Sequence, residues 1–279
     1  MISKMINPHR FRYDGIFSNE LNMPDLITCV AFDGDSGDVE THLAREGISS
    51  ESYDGRYKRI HNFKYTDTFK CTLTLTKSNF GDFTQEEIRA TLKWLTQKDT
   101  TALLEIFYDD SNVVSWASIG GFVNCSLRKL ANNRTVAIVA EWDSMHPFCL
   151  SDLYTVTKTI TATDNKITID IDTDDNKPVY PKVTIQANNA SIEFTNKHTD
   201  LFNVSKSYSS LELTHNTSGE RIVVDGANKI ISSSSTRRIF GDDFNWVWLE
   251  LYDGKNEITV QGNCTVTLEY RTVVKCGEY

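Results

Sequence analysis

Apolar and polar residues alternate along most of the chain with a period of two, the pattern of strands with one buried and one wet face. Phe69, Cys71, Leu73 and Leu75 alternate with Lys70, Thr72, Thr74 and Thr76. Ile167, Ile169 and Ile171 alternate with Thr168, Asp170 and Asp172, and a turn cluster follows at Asp174-Asp175-Asn176-Lys177-Pro178. Ile258 and Val260, then Val266, Leu268 and Tyr270, predict two more strands with a turn at Gly262-Asn263. Val136 to Trp142 predicts another, broken by Asp143-Ser144-Met145-His146-Pro147.

One stretch keeps a different period. Thr84-Gln85-Glu86-Glu87 fits a capping box, in which the Thr84 hydroxyl and the Glu87 carboxylate each satisfy an orphan amide. Phe83 before the cap and Ile88 after it fit a hydrophobic staple. Ile88, Leu92 and Leu95 then form one apolar stripe, with Glu86, Arg89 and Lys93 elsewhere on the surface. The predicted helix runs about four turns. Trp94 falls off the stripe, so it either covers a neighbouring loop or faces a partner.

A domain boundary is placed near residue 150, dividing the chain into residues 1–150 and 151–279. Past it the chain is rich in Thr, Ser and Asn, with short strands at regular spacing and no helical period. That predicts a β-sandwich or jelly roll. The fold class is mainly β with one notable helix.

Composition narrows the function. With 279 residues, 39% of them hydrophobic, the chain can fill a real core, which argues against disorder. Its 29 basic and 38 acidic residues give a net charge of -9, a poor balance for binding a phosphate backbone. The basic cluster Arg56-Tyr57-Lys58-Arg59 is too short to change that, so no nucleic acid partner is expected. There is no run of ~20 apolar residues to span a bilayer, and the first residues lack a signal-like apolar core. Synthesis in a cytoplasm without export, and no membrane insertion, are the expectations. The six cysteines are scattered with no C-x-x-C pair, which predicts neither a disulfide framework nor a zinc ribbon.

Motifs for chemistry are missing. The sequence holds no G-x-S-x-G, no phosphate-cradling glycine loop and no H-E-x-x-H. Its six histidines are isolated from one another in sequence. Asp33-Gly34-Asp35-Ser36-Gly37-Asp38 begins like a calcium loop. Gly37 stands where a ligand belongs, and Ala44 where the bidentate Glu should sit. Asp170, Asp172, Asp174 and Asp175 read as the solvent side of a strand and its turn. No catalytic residue, metal ligand or cofactor is therefore assigned. Phe244, Trp246 and Trp248 alternate, which predicts that all three face one core. Were the second half an adhesin for carbohydrate, Trp246 and Tyr252 would be its sugar-stacking residues. A cell-wall glycoside hydrolase is the weakest alternative, because nothing selects a pair of acids.

Several segments resemble the distal tail proteins of long-tailed siphophages. They are Tyr53 to Ile60 followed by Phe69 to Leu75, the helix Glu86 to Leu95 with its Trp94-Leu95 pair, and Ala140 to Phe148. Asn245 to Val260, with Gly254-Lys255-Asn256, and Val266 to Arg271 complete the set. From Lys182 to Ser235 no resemblance is found. The resemblance implies an N-terminal split β-barrel with the helix packed on it and a C-terminal galectin-like β-sandwich. It implies a homohexameric ring at the virion tail tip, between the tail tube protein and a tail-associated tip protein. Receptor-binding proteins or adhesion arms would dock on the sandwich. Glu86, Arg89 and Lys93 are the candidate ring-interface residues, since complementary charge fixes register between subunits.

Overall fold

The computed structural model describes residues 9–21, 23–32, 45–51, 58–108, 112–199, 205–207, 210–236 and 238–275. The chain divides into two units, residues 1–152 with 274–279, and residues 153–273. The fold is mainly β, with one α-helix among the described residues.

The first unit contains β1 (His9–Tyr13), β2 (Leu26–Phe32), β3 (Arg45–Glu51), β4 (Lys58–Tyr65) and β5 (Lys70–Lys77). After α1 (Gln85–Thr96) come β6 (Ala102–Phe107), β7 (Trp116–Lys129), β8 (Thr135–Ser144) and β9 (Cys149–Leu150). Six of these strands close an antiparallel barrel in the order β7-β6-β1-β2-β5-β8, with β8 pairing back onto β7. Closure leaves those strands no free edge in the ring, which removes a common route to aggregation.

Strand β7 makes the closure possible. Its first residues pair with β6, ending at Gly120 opposite Ala102. From Gly120, opposite Ser144, the remainder pairs with β8. A Cβ on Gly120 would overlap the Asp143 carbonyl oxygen, so only glycine lets the two backbones approach. The interior is filled by the alternating residues of β5 (Cys71, Leu73 and Leu75) with Phe11, Tyr13, Leu104, Ile106, Ile138 and Trp142. The Trp142 indole N–H donates to Ser118 Oγ at 2.9 Å, so the largest core side chain leaves no orphan donor.

Helix α1 has the predicted start. Glu87 N donates to Thr84 Oγ1 at 3.2 Å, and Thr84 N donates to Glu87 Oε2 at 2.8 Å. Phe83 and Ile88 are both buried, as a staple requires. The helix is 12 residues long, shorter than expected, and its buried face is Ile88, Thr91 and Leu95, with Leu92 only half-buried. Strands β3 and β4 pair only with each other, in a two-stranded sheet of their own.

The second unit contains β10 (Tyr154–Ile160), β11 (Lys166–Ile171), β12 (Lys182–Ala187), β13 (Ile192–Thr199) and β14 (Ser205–Ser207). These are followed by β15 (Leu211–Leu213), β16 (Arg221–Asp225), β17 (Ile230–Ser233), β18 (Gly254–Gln261) and β19 (Cys264–Tyr270). One sheet runs β10-β19-β12-β16-β17 and the other β11-β18-β13-β14, with β15 beside β13. Val183, Ile185, Val266 and Leu268 of the first sheet share one core with Ile167, Ile169, Phe194, Ile258 and Val260 of the second. That is a β-sandwich, each buried Ile, Val or Leu contributing about 2 kcal/mol. Gly262, with φ of 96°, makes the predicted β18–β19 turn where a side chain would run into the Ser191 carbonyl. A final short strand, β20 (Val273–Val274), and β9 extend the barrel sheet beyond β7.

Two expectations change. Cys149 is disulfide-bonded, whereas Cys29, Cys125 and Cys264 are free thiols. Phe244, Trp246 and Trp248 do not face one core. Phe244 is buried and Trp248 packs against the same core, but Trp246 is 57% exposed. Its φ of 57° breaks the alternation, because a left-handed residue does not continue a strand.

Candidate functional site

Three surfaces stand out among the described residues, two on the first unit and one on the second. The first is the β3–β4 hairpin. An isolated two-stranded sheet is marginal in water, yet here Ile48, Ile60 and Phe63 are 46%, 52% and 55% exposed. Ile48 pairs with Asn62 and Ser49 with Ile60, so His61 is the extra residue of a bulge. Both Ile60 and Phe63 consequently lie over Gly47, where they form a small apolar patch. The Arg45 guanidinium covers the Phe63 ring at 5.5 Å. The Asp33–Asp38 segment and the Tyr53–Tyr57 part of the Tyr53–Ile60 segment lie outside the described residues.

The second surface is the outer side of α1. Glu86, Arg89 and Lys93 are all exposed there. Trp94 packs on Phe11 and Tyr13, with ring centroids 5.8 and 5.7 Å apart, so it caps the barrel core. Its remaining face lines an open cleft of about 540 Å³ with Lys93, Gln97, Leu21 and Met23. On the inner side, Glu87 is tied to β5 through Lys77 at 2.7 Å. Burial opposes ionisation of Glu87. The bonds from Lys77 and Thr84 outweigh it and hold the carboxyl below its usual value.

The third surface is a cleft of about 310 Å³ in the sandwich, lined by Tyr180, Asn196, Lys229, Trp246, Trp248 and Glu250 among others. After a single bridge of Phe244 to Leu213, the chain from Asn245 to Leu249 runs along it without strand pairing. Asn245 Oδ1 accepts from the amides of Val247 and Glu212, which turns the chain, and Trp246 Nε1 donates to the Gly241 carbonyl at 3.1 Å. The exposed indole is thereby held in place. Glu250 receives the Tyr180 hydroxyl on one carboxylate oxygen at 2.9 Å and the Tyr252 hydroxyl on the other at 2.6 Å. The Lys229 ammonium lies 3.3 Å from the Tyr180 ring centroid and 5.2 Å from that of Trp248, a cation–π arrangement. Burial pushes its pKa down, partly offset by Glu250.

The Gly254-Lys255-Asn256 start of β18 supports this cleft. Asn256 is fully buried, accepts from the Tyr252 amide and from Asn196 Nδ2, and donates to the carbonyls of Tyr252 and Gly254. Asn196, itself 1% exposed, also donates to the Glu250 carbonyl. Of the two predicted sugar-stacking residues, Trp246 lines the cleft. Tyr252 does not. It packs on His198, and its hydroxyl reaches the cleft at Glu250.

Sequence reasoning missed the remaining cleft residues, and also a buried ion pair between Glu220, in the stretch from Lys182 to Ser235 where no resemblance was found, and Arg238 just beyond it. Arg238, with a side chain 6% exposed, pairs with Glu220 at 2.8 Å and donates to the carbonyls of Thr214 and His215. Glu220 also accepts from Ser233 and the Thr217 amide. Among the described residues, no group of three or more His, Cys, Asp or Glu could hold a metal ion. No described helix is long and apolar enough to cross a membrane.

The chain matches the phage tail protein N-terminal domain over residues 6–119 and the phage tail C-terminal domain over residues 148–270. It belongs to the phage tail protein family that these two domains define. Its fold is similar to the crystal structure of Dit from phage SPP1, described as a paradigm of the hub adsorption apparatus in phages infecting Gram-positive bacteria. That match has a TM-score of 0.58 at 10% identity, covering 94% of this chain and 98% of that one. It is also similar to a chain of the phage p2 baseplate in its activated conformation, with a TM-score of 0.51 at 9% identity, covering 89% and 92%. No curated protein sequence matches the chain.

Proposed function

We propose that this phage tail protein is a structural distal tail hub, six copies of which close into a ring between the tail tube and the tip. The observation that carries the reading is the β3–β4 hairpin, whose Ile48, Ile60 and Phe63 stay uncovered within one copy of the chain. A neighbouring copy is the natural cover. A hairpin on one subunit meeting a different surface on the next is a heterologous contact, and such contacts generate rings when the rotation closes. The exposed charges Glu86, Arg89 and Lys93 would then fix register rather than supply affinity. The first unit is the ring-forming part, facing the tail tube protein and the tail-associated tip protein. The second is a galectin-like sandwich that carries receptor-binding proteins or adhesion arms at the virion tail tip. The role requires no catalytic residue and no cofactor.

Light scattering coupled to gel filtration tests this. The purified chain is expected at six times its own mass, and Phe63→Asp with Ile60→Asp at the mass of one chain with an unchanged far-ultraviolet spectrum. A wild-type protein that stays monomeric at high concentration, with or without tail tube protein, overturns the ring. Arg89→Glu is expected to slow assembly or make it more salt-sensitive, and no change in either removes the helix from the interface.

A further inference from the structure

The geometry points to the sandwich cleft as a binding site for a pyranose sugar, a function separate from ring assembly and independent of it. Four features converge there. Trp246 presents an aromatic face that is 57% exposed, an uncommon fate for the largest apolar side chain. That face is not loose, because its Nε1 is anchored on the Gly241 carbonyl. Opposite polar groups line the same concavity: the Glu250 carboxylate, oriented by two tyrosine hydroxyls, and the Lys229 ammonium, steered by two aromatic rings. Asn196, which also lines the cleft and is itself buried, keeps a side-chain oxygen without a hydrogen-bond partner.

That combination suits a sugar better than a purely apolar ligand. A pyranose has a C–H face that packs on an aromatic ring and a rim of hydroxyls that both donate and accept. Glu250 retains acceptor capacity after its two tyrosine bonds, since a carboxylate has about four lone-pair sites. Lys229 can donate three hydrogen bonds, and its attraction to the rings uses none of them outright. A hydroxyl bridging these two groups would donate to one and accept from the other. The volume of about 310 Å³ lies at the small end of ligand sites, the scale of a terminal residue rather than a long chain. Rigid anchoring matters here, because a preorganised aromatic platform avoids the ordering cost that weakens small-ligand binding.

The test uses the full chain with glucose, galactose, N-acetylglucosamine and N-acetylmannosamine as probes, each at millimolar concentration, in saturation-transfer difference NMR. At least one is expected to give signal strongest at its ring C–H protons. Trp246→Ala is expected to weaken that binding about tenfold or more, and Lys229→Met severalfold. Thermal unfolding and near-ultraviolet circular dichroism of each variant establish that the sandwich is intact. Lys229→Met serves where Trp246→Ala disturbs the left-handed backbone at that position. Absence of signal from all four sugars overturns the proposal. So does signal that persists undiminished in either folded variant, since the sugar would then be bound elsewhere.

Discussion

The two units satisfy their strands in opposite ways. The barrel closes on itself through β7, which pairs with β6 and then with β8. What it leaves over is an apolar hairpin lying outside the closed ring of strands. The sandwich buries its core between two open sheets, and what it leaves over is a concave, mixed aromatic and polar cleft. Exposed strands with apolar side chains suit another polypeptide. A rigid cleft with fixed donors and acceptors suits a small ligand. On the two proposals above, assembly falls to the first unit and recognition to the second, and that contrast can be broken at specific residues.

The largest effect is expected at Gly120. Valine there would place side-chain carbons on the Asp143 carbonyl at the seam where β7 changes partner. Either the seam opens or the strand shifts, at a cost of about 4 kcal/mol or more, against a total stability of about 5–15 kcal/mol for a domain. Each unit has its own core, so calorimetry of Gly120→Val should show the barrel transition lost and the sandwich transition retained. A wild-type barrel transition in this variant would mean that the closure does not depend on glycine.

The matching perturbation in the sandwich is Arg238→Met. It leaves the Glu220 carboxylate, 5% exposed, without its cation, and breaking a buried pair costs about 3–5 kcal/mol. Burial alone would raise the Glu220 pKa. The bonds from Ser233, Thr217 and Arg238 prevail and lower it. A carboxyl lowered in the folded state contributes stability that is full above its unfolded value and disappears as pH falls through the folded one. Glu220→Gln should therefore flatten the acid limb of the sandwich's stability profile below roughly pH 4, while the barrel's limb is unchanged.

How much of this was legible in the sequence depended on how local the cause was. The strands β5, β11, β18 and β19 and the cap of α1 are fixed by neighbours a few residues apart, and their periodicity announced them. Trp246 was misread because one left-handed residue reverses the face of a strand pattern, and no propensity argument marks a tryptophan for φ of 57°. The cleft joins Tyr180, Lys229 and Glu250 through sheet packing, so their sequence separation hides them. Barrel closure left one trace, Gly120-Gly121 within the long strand β7, which signals close backbone approach only once the partner strand is known. The hairpin's apolar patch was no more visible, since Ile60 and Phe63 share a face only through the bulge at His61.

The smallest expected effect sharpens the comparison most cleanly, because α1 has no counterpart among the described elements of the sandwich. Thr84→Ala removes the hydroxyl that accepts from the Glu87 amide, half of the capping box. Glu87 keeps its contact with Lys77, so the helix stays docked on β5 and only the orphan amide is exposed. The cost is that of a lost N-cap, about 1 kcal/mol, which lowers a transition of this size by roughly 2–8 °C. Only the barrel transition should move. An equal shift in the sandwich transition would show that the two units unfold as one cooperative body, and the division of labour argued from their separate cores would then lose its thermodynamic footing.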